Sequence, residues 1–334
     1  MESSQVPVSS IGIRWVVMET RAKKQHYVPR LYLESFARGE RVSVFDKATG
    51  KVFWSSLRDV ACQRYFYDLP DLDRAAGVAQ ALEKFFHPFE EAAAAVLKRL
   101  RASLHGGDFV AITRDQRIDL SIFLALQMLR TPESREHSVQ LRLALHREAF
   151  LAWLQDREPE LAATARESFA LEMTEDEKIR TQVRTLLDHE QRDRIAEILY
   201  QHYWVVLENP FSSPFITSDH PACNHGTLSH PVRSMQGLAS TGAEILFPLS
   251  PRSLLLIVER RAFPHAARID GRLTTLGSPE NVVYYNHWQV RHAYRFLYST
   301  DSDFALAQSM LEETPELGDP RNARIGVRSM GDEL

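Results

Sequence analysis

Two cysteines in 334 residues, Cys62 and Cys223, are too few for a disulfide framework. The fold must rest on a packed core, and a reducing, cytoplasmic setting is the expectation. No apolar run approaches the ~20 residues that a membrane-spanning helix needs, so no membrane partner is expected. A marked excess of charge of one sign is also lacking. A formal net charge of -4 supplies no overall attraction for nucleic acid or an anionic surface, although dispersed Lys and Arg leave local basic patches open. The chain lacks a phosphate-binding P-loop, a GxGxxG dinucleotide fingerprint, a GxSxG elbow, an HExxH pair and the kinase motif set. Nucleotide-driven motors, Rossmann oxidoreductases, common serine hydrolases and zincins thereby lose their usual support. Internal repeats and low-complexity blocks are missing as well.

What is present is an ordinary globular composition, 44% hydrophobic and 25% charged, in a chain long enough for a large core. Residues 1–22 read as a disordered leader or an over-long start, because Met18 opens a plausible second beginning. Residues 23–312 read as a single α+β domain, and 313–334 as a loose polar tail.

Periodicity divides the domain into helices between two β-rich ends. Residues 41–46 alternate like a half-buried strand, 47–51 supply turn chemistry, and Val52-Phe53-Trp54 starts the return strand of a hairpin. From about Arg74 to Tyr200 the pattern is helical. The first long helix ends at Gly106-Gly107, with a kink or break expected at Pro88. Asp115 to Arg130 is apolar nearly all round, which predicts a central helix. More charged helices follow around 133–155, 160–172 and 176–200. Strands return at 203–207, 214–217, 245–249 and 254–258, with 222–243 a long loop and Glu280–Phe296 a last helix. Helices and strands segregate along the chain. The fold class expected is therefore α+β, a helical middle packed on a mixed or antiparallel sheet built from both ends.

Two polar strings stand out: Gln25-His26-Tyr27-Val28-Pro29-Arg30 and Thr217-Ser218-Asp219-His220-Pro221. Each sets an ionisable side chain beside a proline that stiffens the backbone. His26 among cations would have a lowered pKa, suiting a base, a ligand or a phosphate contact; the alternative is a structural turn. Asp219 would stand at a strand end, as a site residue or as an Asx turn. Glu83, His87 and Glu90 fall on one helical face, which suits either a metal or acid/base site or a solvated stripe. Gln127 and Arg130 are nearly the only polar groups late in the central helix. A buried guanidinium there needs a carboxylate or an anionic substrate, unless it reaches solvent at the helix end. Cys223, His225 and His230 could join Asp219 or His220 around a divalent metal, although their spacing lacks zinc-site geometry. Trp288, His292 and Arg295 would share a face of the last helix.

The first string, continued by Tyr32, Leu33 and Phe36, resembles the opening of a large bacterial and fungal family catalogued as a domain of unknown function, whose members share a His-Tyr-Val-Pro start. Glu83, Glu90, Gln127-x-x-Arg130-x-Pro132, Phe215-Ile216-Thr217-Ser218-Asp219-x-Pro221, Phe247-Pro248-Leu249-Ser250-Pro251, Asn286 and Arg295 are similar to that family too, from Lys23 to Tyr298. The resemblance implies no established activity. It does imply that dispersed polar residues belong together.

The functional expectation is a cytoplasmic nuclease-like or phosphoester hydrolase, a defence or toxin effector acting on an anionic substrate or nucleic acid. His26, Glu83, Arg130 and Asp219 would be catalytic, and Arg30, Gln127, Asn286 and Arg295 would bind substrate. A non-catalytic binder of an anionic small molecule or peptide, or a structural module, is the alternative. Whether His26, Arg130 and Asp219 face one hollow separates the structural module from the other two. Alanine replacement of His26 then separates enzyme, which loses turnover but keeps ligand, from binder, which loses affinity.

Overall fold

The structure is a computed structural model describing residues 24–102, 112–228 and 237–322. The expected leader, Gly106-Gly107, His230 and the end of the tail lie outside the described residues.

The first motif forms a short strand, β1 (Lys24–His26), and runs into a single helical turn, α1 (Arg30–Leu33). The predicted hairpin follows as β2 (Arg41–Asp46) and β3 (Lys51–Ser56), and β4 (Cys62–Arg64) returns to pair with β1. Helices α2 (Pro70–Ala76), α3 (Ala81–Ala102), α4 (Arg114–Leu129), α5 (Pro132–Arg157), α6 (Pro159–Ser168), α7 (Glu175–Leu187) and α8 (His189–Gln201) make the middle. The last third contributes β5 (Tyr203–Glu208), β6 (Thr217–Ser218), β7 (Cys223–Gly226), β8 (Ala243–Ser250), β9 (Ser253–Val258) and β10 (Arg272–Thr275). It closes with α9 (Pro279–His292), β11 (Phe296–Ser299) and α10 (Ala305–Glu313).

The chain is α+β, with two principal sheets. A five-stranded mixed sheet in the order β10-β5-β9-β8-β7 comes wholly from the last third, and only β10 and β5 are parallel. A four-stranded antiparallel sheet in the order β3-β2-β11-β6 is built from both ends. Strand alternation explains the layers of the larger sheet. Trp204, Val206, Leu255 and Ile257 turn to the main core shared with α3 and α4, while Val205, Leu207 and Leu254 meet Val282 of α9 on the other face. With both faces covered, its strands read as continuous apolar runs. The α4 helix buries Leu120, Phe123, Leu124 and Leu126 in that core and is capped by a reciprocal Thr113–Gln116 box.

Several expectations about elements need correction. The α3 helix runs through Pro88 without a break; Pro88 sits on the exposed face, so the lost bond falls on the solvent side. The predicted 176–200 helix is two, because Asp188 leaves helical geometry and its carboxylate caps α8 by accepting from Gln191 N at 3.0 Å. The expected loop at 222–243 contains β7, whose polar residues pair in register with β8. The last helix stops at His292, and Phe296 belongs to a strand. Past Glu313, Pro315–Gly318 form a short 3-10 turn, where a Cβ on Gly318 would come within 2.9 Å of the Lys47 carbonyl. Among the described residues no helix is long and apolar enough to cross a membrane.

Candidate functional site

The site is built around Arg130, the C-cap of α4. Its backbone carbonyl accepts from the Tyr67 hydroxyl at 2.7 Å. The guanidinium is only 2% exposed. Nε donates to the Tyr27 carbonyl at 2.9 Å, Nη1 donates to Glu90 Oε1 at 2.7 Å, and the Phe86 ring lies under the group at 5.0 Å. One turn earlier, Gln127 Nε2 donates to the same Tyr27 carbonyl at 3.0 Å. The central helix thus grips the first motif at the peptide next to His26. Ala61, in the left-handed region at φ 49, aims its carbonyl at Tyr27 N at 3.0 Å and completes the hold.

His26 is half-buried. The backbone of Leu57 lies near its ring and favours the protonated form. Burial outweighs this and lowers the pKa, with the nearby Arg30 and Arg130 charges adding to the effect. Nε2 is buried and has no hydrogen-bond partner. A neutral ring with its N–H at Nδ1 presents a lone pair at Nε2.

Glu83, in the first turn of α3, is pushed up to about 7 by burial and by the Glu90 carboxylate, against the opposing pull of Arg130. Its Oε1 is buried without a partner, as are Gln127 Oε1 and Arg130 Nη2. One base, one carboxyl poised near neutrality, one amide carbonyl and one cationic N–H are therefore left unmet on or near a single ion pair. Buried polar atoms are normally hydrogen-bonded, so four unmet ones together are what a substrate-binding cluster leaves open.

The other residues singled out in the sequence go elsewhere. Asp219 is fully buried and faces main chain: Oδ1 accepts from Tyr294 N at 2.8 Å, and Oδ2 accepts from Arg295 N and Phe296 N at 2.8 Å each. Burial pushes it up to about 6 although these three donors favour the ion. The clasp ends α9 and starts β11, which is why the last helix is shorter than its periodicity suggests. Asn286 likewise serves backbone, accepting from Ile216 N at 3.0 Å and donating to Pro214 O at 2.9 Å. Arg295 leaves the α9 face and forms a forked pair with Asp46, at 2.8 and 2.7 Å. Arg30 is exposed at the start of α1, near His26 in charge but without a hydrogen bond to it. His87 turns outward, 70% exposed and 3.4 Å from Glu91, so Glu83 and Glu90 do not share their site with it. Lys24 pairs with Asp59 on the surface.

The metal grouping at Cys223 and His225 is not formed. Cys223 Sγ donates to the His220 carbonyl and accepts from Gln289 Nε2, while His225 stacks on Trp288 with centroids 3.4 Å apart. Among the described residues no three His, Cys, Asp or Glu side chains are arranged to hold a metal ion. Tyr27 and Tyr67 contribute to the site mainly through a carbonyl and a hydroxyl; the sequence signals of these two were aromatic, and aromatic residues read as core.

A family model described as "Protein of unknown function (DUF4238)" matches residues 24–303. The chain belongs to that family. The matched span holds every residue of the Arg130 cluster, from β1 through α4. Searches of curated proteins and of solved structures returned no match.

Proposed function

We propose that this protein is an acid–base enzyme acting on an anionic ester, with phosphoester hydrolysis as the reaction. The observation that carries the reading is the set of unpartnered buried atoms around the Arg130–Glu90 pair: His26 Nε2, Glu83 Oε1, Gln127 Oε1 and Arg130 Nη2. In this reading His26 Nε2 takes the proton of an attacking water that Gln127 Oε1 orients. Glu83, with a pKa of about 7, keeps a proton long enough to give it to the leaving oxygen. Arg130 Nη2 donates to the charge that develops on the ester, in surroundings where water cannot screen it. Tyr27 and Tyr67 fix the Arg130 end of the cluster and touch no substrate. Asp219 has no part, because its oxygens are committed to the 294–296 backbone. The His26, Arg130 and Asp219 grouping expected from the sequence is not formed, and the reading rests on the Arg130 cluster alone.

The test uses bis(p-nitrophenyl) phosphate and inorganic phosphate with the purified full chain. Turnover by the parent, lost in His26→Ala and lowered in Glu83→Gln while both variants still bind phosphate, supports the reading. Phosphate binding without turnover in the parent points to a binder of anions instead. Neither binding nor turnover removes the reading.

A further inference from the structure

A second place in the fold has the makings of a ligand site, distinct from the Arg130 cluster although Tyr27 borders both. Between β4, α5, α7 and β11 lies a cavity of about 480 Å³, within the size range of small-molecule pockets. Its walls carry four cationic side chains, Arg135, Lys178, Arg295 and Arg321, against two carboxylates, Glu136 and Glu175. Two of the cations are already balanced: Lys178 by Glu175 at 2.6 Å, and Arg295 by Asp46.

Among the described residues Arg135 and Arg321 have no such carboxylate, and of the two Arg135 is the less exposed. It occupies the first turn of α5, where the helix dipole disfavours a cation. Its guanidinium donates to Gln182 Oε1 at 2.6 Å and to the Phe66 carbonyl at 2.5 Å, both neutral acceptors, and lies 3.6 Å from the Phe66 ring centroid. Burial lowers its pKa to about 10, an effect that Tyr67 and Glu175 only partly oppose. Desolvating a guanidinium costs several kcal/mol unless an anion repays it. No side-chain carboxylate among the described residues bonds it, and the open side of the cavity is where an anion can arrive.

We propose that this cavity binds a small organic phosphate, with Arg135 as the principal contact and Arg321 closing over the anion. The volume exceeds what a bare phosphate fills, which leaves room for an organic part. Glu136, whose Oε1 takes the Gln140 amide at 2.9 Å, offers a carboxylate to hydroxyl or amine donors of that part. Arginine suits a phosphate better than lysine because its planar fork meets two oxygens at once.

Calorimetric titration of the full chain with inorganic phosphate, pyrophosphate and AMP tests this. AMP or pyrophosphate should bind more tightly than phosphate, and Arg135→Gln should weaken that binding by about tenfold or more, the scale of one charge-assisted contact. His26→Ala, at the other cluster, should leave it within about twofold. If Arg135→Gln does not fold, Arg321→Gln on the cavity wall must weaken binding by itself. Absence of binding by all three probes overturns the proposal. So does binding that His26→Ala abolishes and the cavity variants leave intact, since the anion then belongs to the Arg130 cluster.

Discussion

The hydroxyl of Tyr32 lies 2.7 Å from the hydroxyl of Thr217, joining the two polar strings across 185 residues of sequence. The same Tyr32 hydroxyl donates to the Pro248 carbonyl at 2.7 Å, so three separated segments meet at one fully buried phenol. Buried hydroxyls need partners, and this junction supplies them while drawing the first motif against the larger sheet. Part of what makes the strings conspicuous is therefore structural. The unpartnered buried polar atoms concentrate at His26 and in what α3 and α4 bring to it.

Glu83 links the candidate site to stability. Its carboxyl sits at about 7 in the folded chain against 4.5 ordinarily, so folding holds the proton to higher pH than the unfolded chain does. Its contribution is full below pH 4.5 and is lost as pH rises through about 7. Glu83→Gln should flatten that dependence and stabilise the protein at pH 8 by up to about 3 kcal/mol. Urea unfolding of both chains at pH 5 and pH 8 measures it. A variant less stable than the parent at pH 8 would contradict a carboxylate ionised at a cost.

Under the proposed reaction, activity needs His26 neutral and Glu83 protonated. The rate on bis(p-nitrophenyl) phosphate should climb as His26 loses its proton below 6.5 and fall as Glu83 ionises near 7. A narrow bell results, and its two limbs belong to the coupled pair. Glu83→Gln should lower kcat and erase the alkaline limb. An alkaline limb that persists in that variant assigns it to another group.

Arg130 and Glu90 should be strongly coupled. Glu90→Gln leaves the Arg130 charge, 2% exposed, without its partner and should cost about 3–5 kcal/mol, whereas Arg130→Met leaves Glu90, 28% exposed, partly hydrated and should cost less. The double variant should cost less than the sum by at least about 1 kcal/mol. Chemical denaturation of the four chains closes the cycle. Simple additivity would mean the pair is solvated.

Asp219→Ala strands three backbone N–H groups at once, and a loss of about 3–5 kcal/mol is expected. Asp219→Asn keeps one acceptor and should lose less. Amide exchange at Tyr294, Arg295 and Phe296 reads the clasp directly. Protection left unchanged in the alanine variant would show that those donors have other partners.

The sequence made some elements legible and hid others for identifiable reasons. The hairpin at 41–56 and the apolar α4 announce themselves through local periodicity. The end of α9 is set by Asp219, some seventy residues earlier, and a pattern within the helix cannot report it. The β7 strand, Cys-Asn-His-Gly, has no apolar alternation and exists because β8 supplies its register. At the site, His26, Glu83, Gln127 and Arg130 were visible because polar residues in apolar helices or beside prolines are unusual. Asp219 and Asn286 have the same outward signature, yet they bond main chain: a carboxylate beside a proline looks alike whether it faces ligand or backbone. Arg135 was missed because an arginine on a charged helix reads as surface.

The smaller sheet sets an order of events for synthesis. Strand β2 pairs with β3 almost as soon as both leave the ribosome, but its other edge must wait for β11, where Phe296 meets Asp46. Pairings so far apart in sequence close slowly. Until then a strand of Val, Phe and Ser keeps one row of amides and carbonyls open to any neighbouring chain. Truncations that stop short of β11 should therefore be chaperone clients rather than smaller soluble domains.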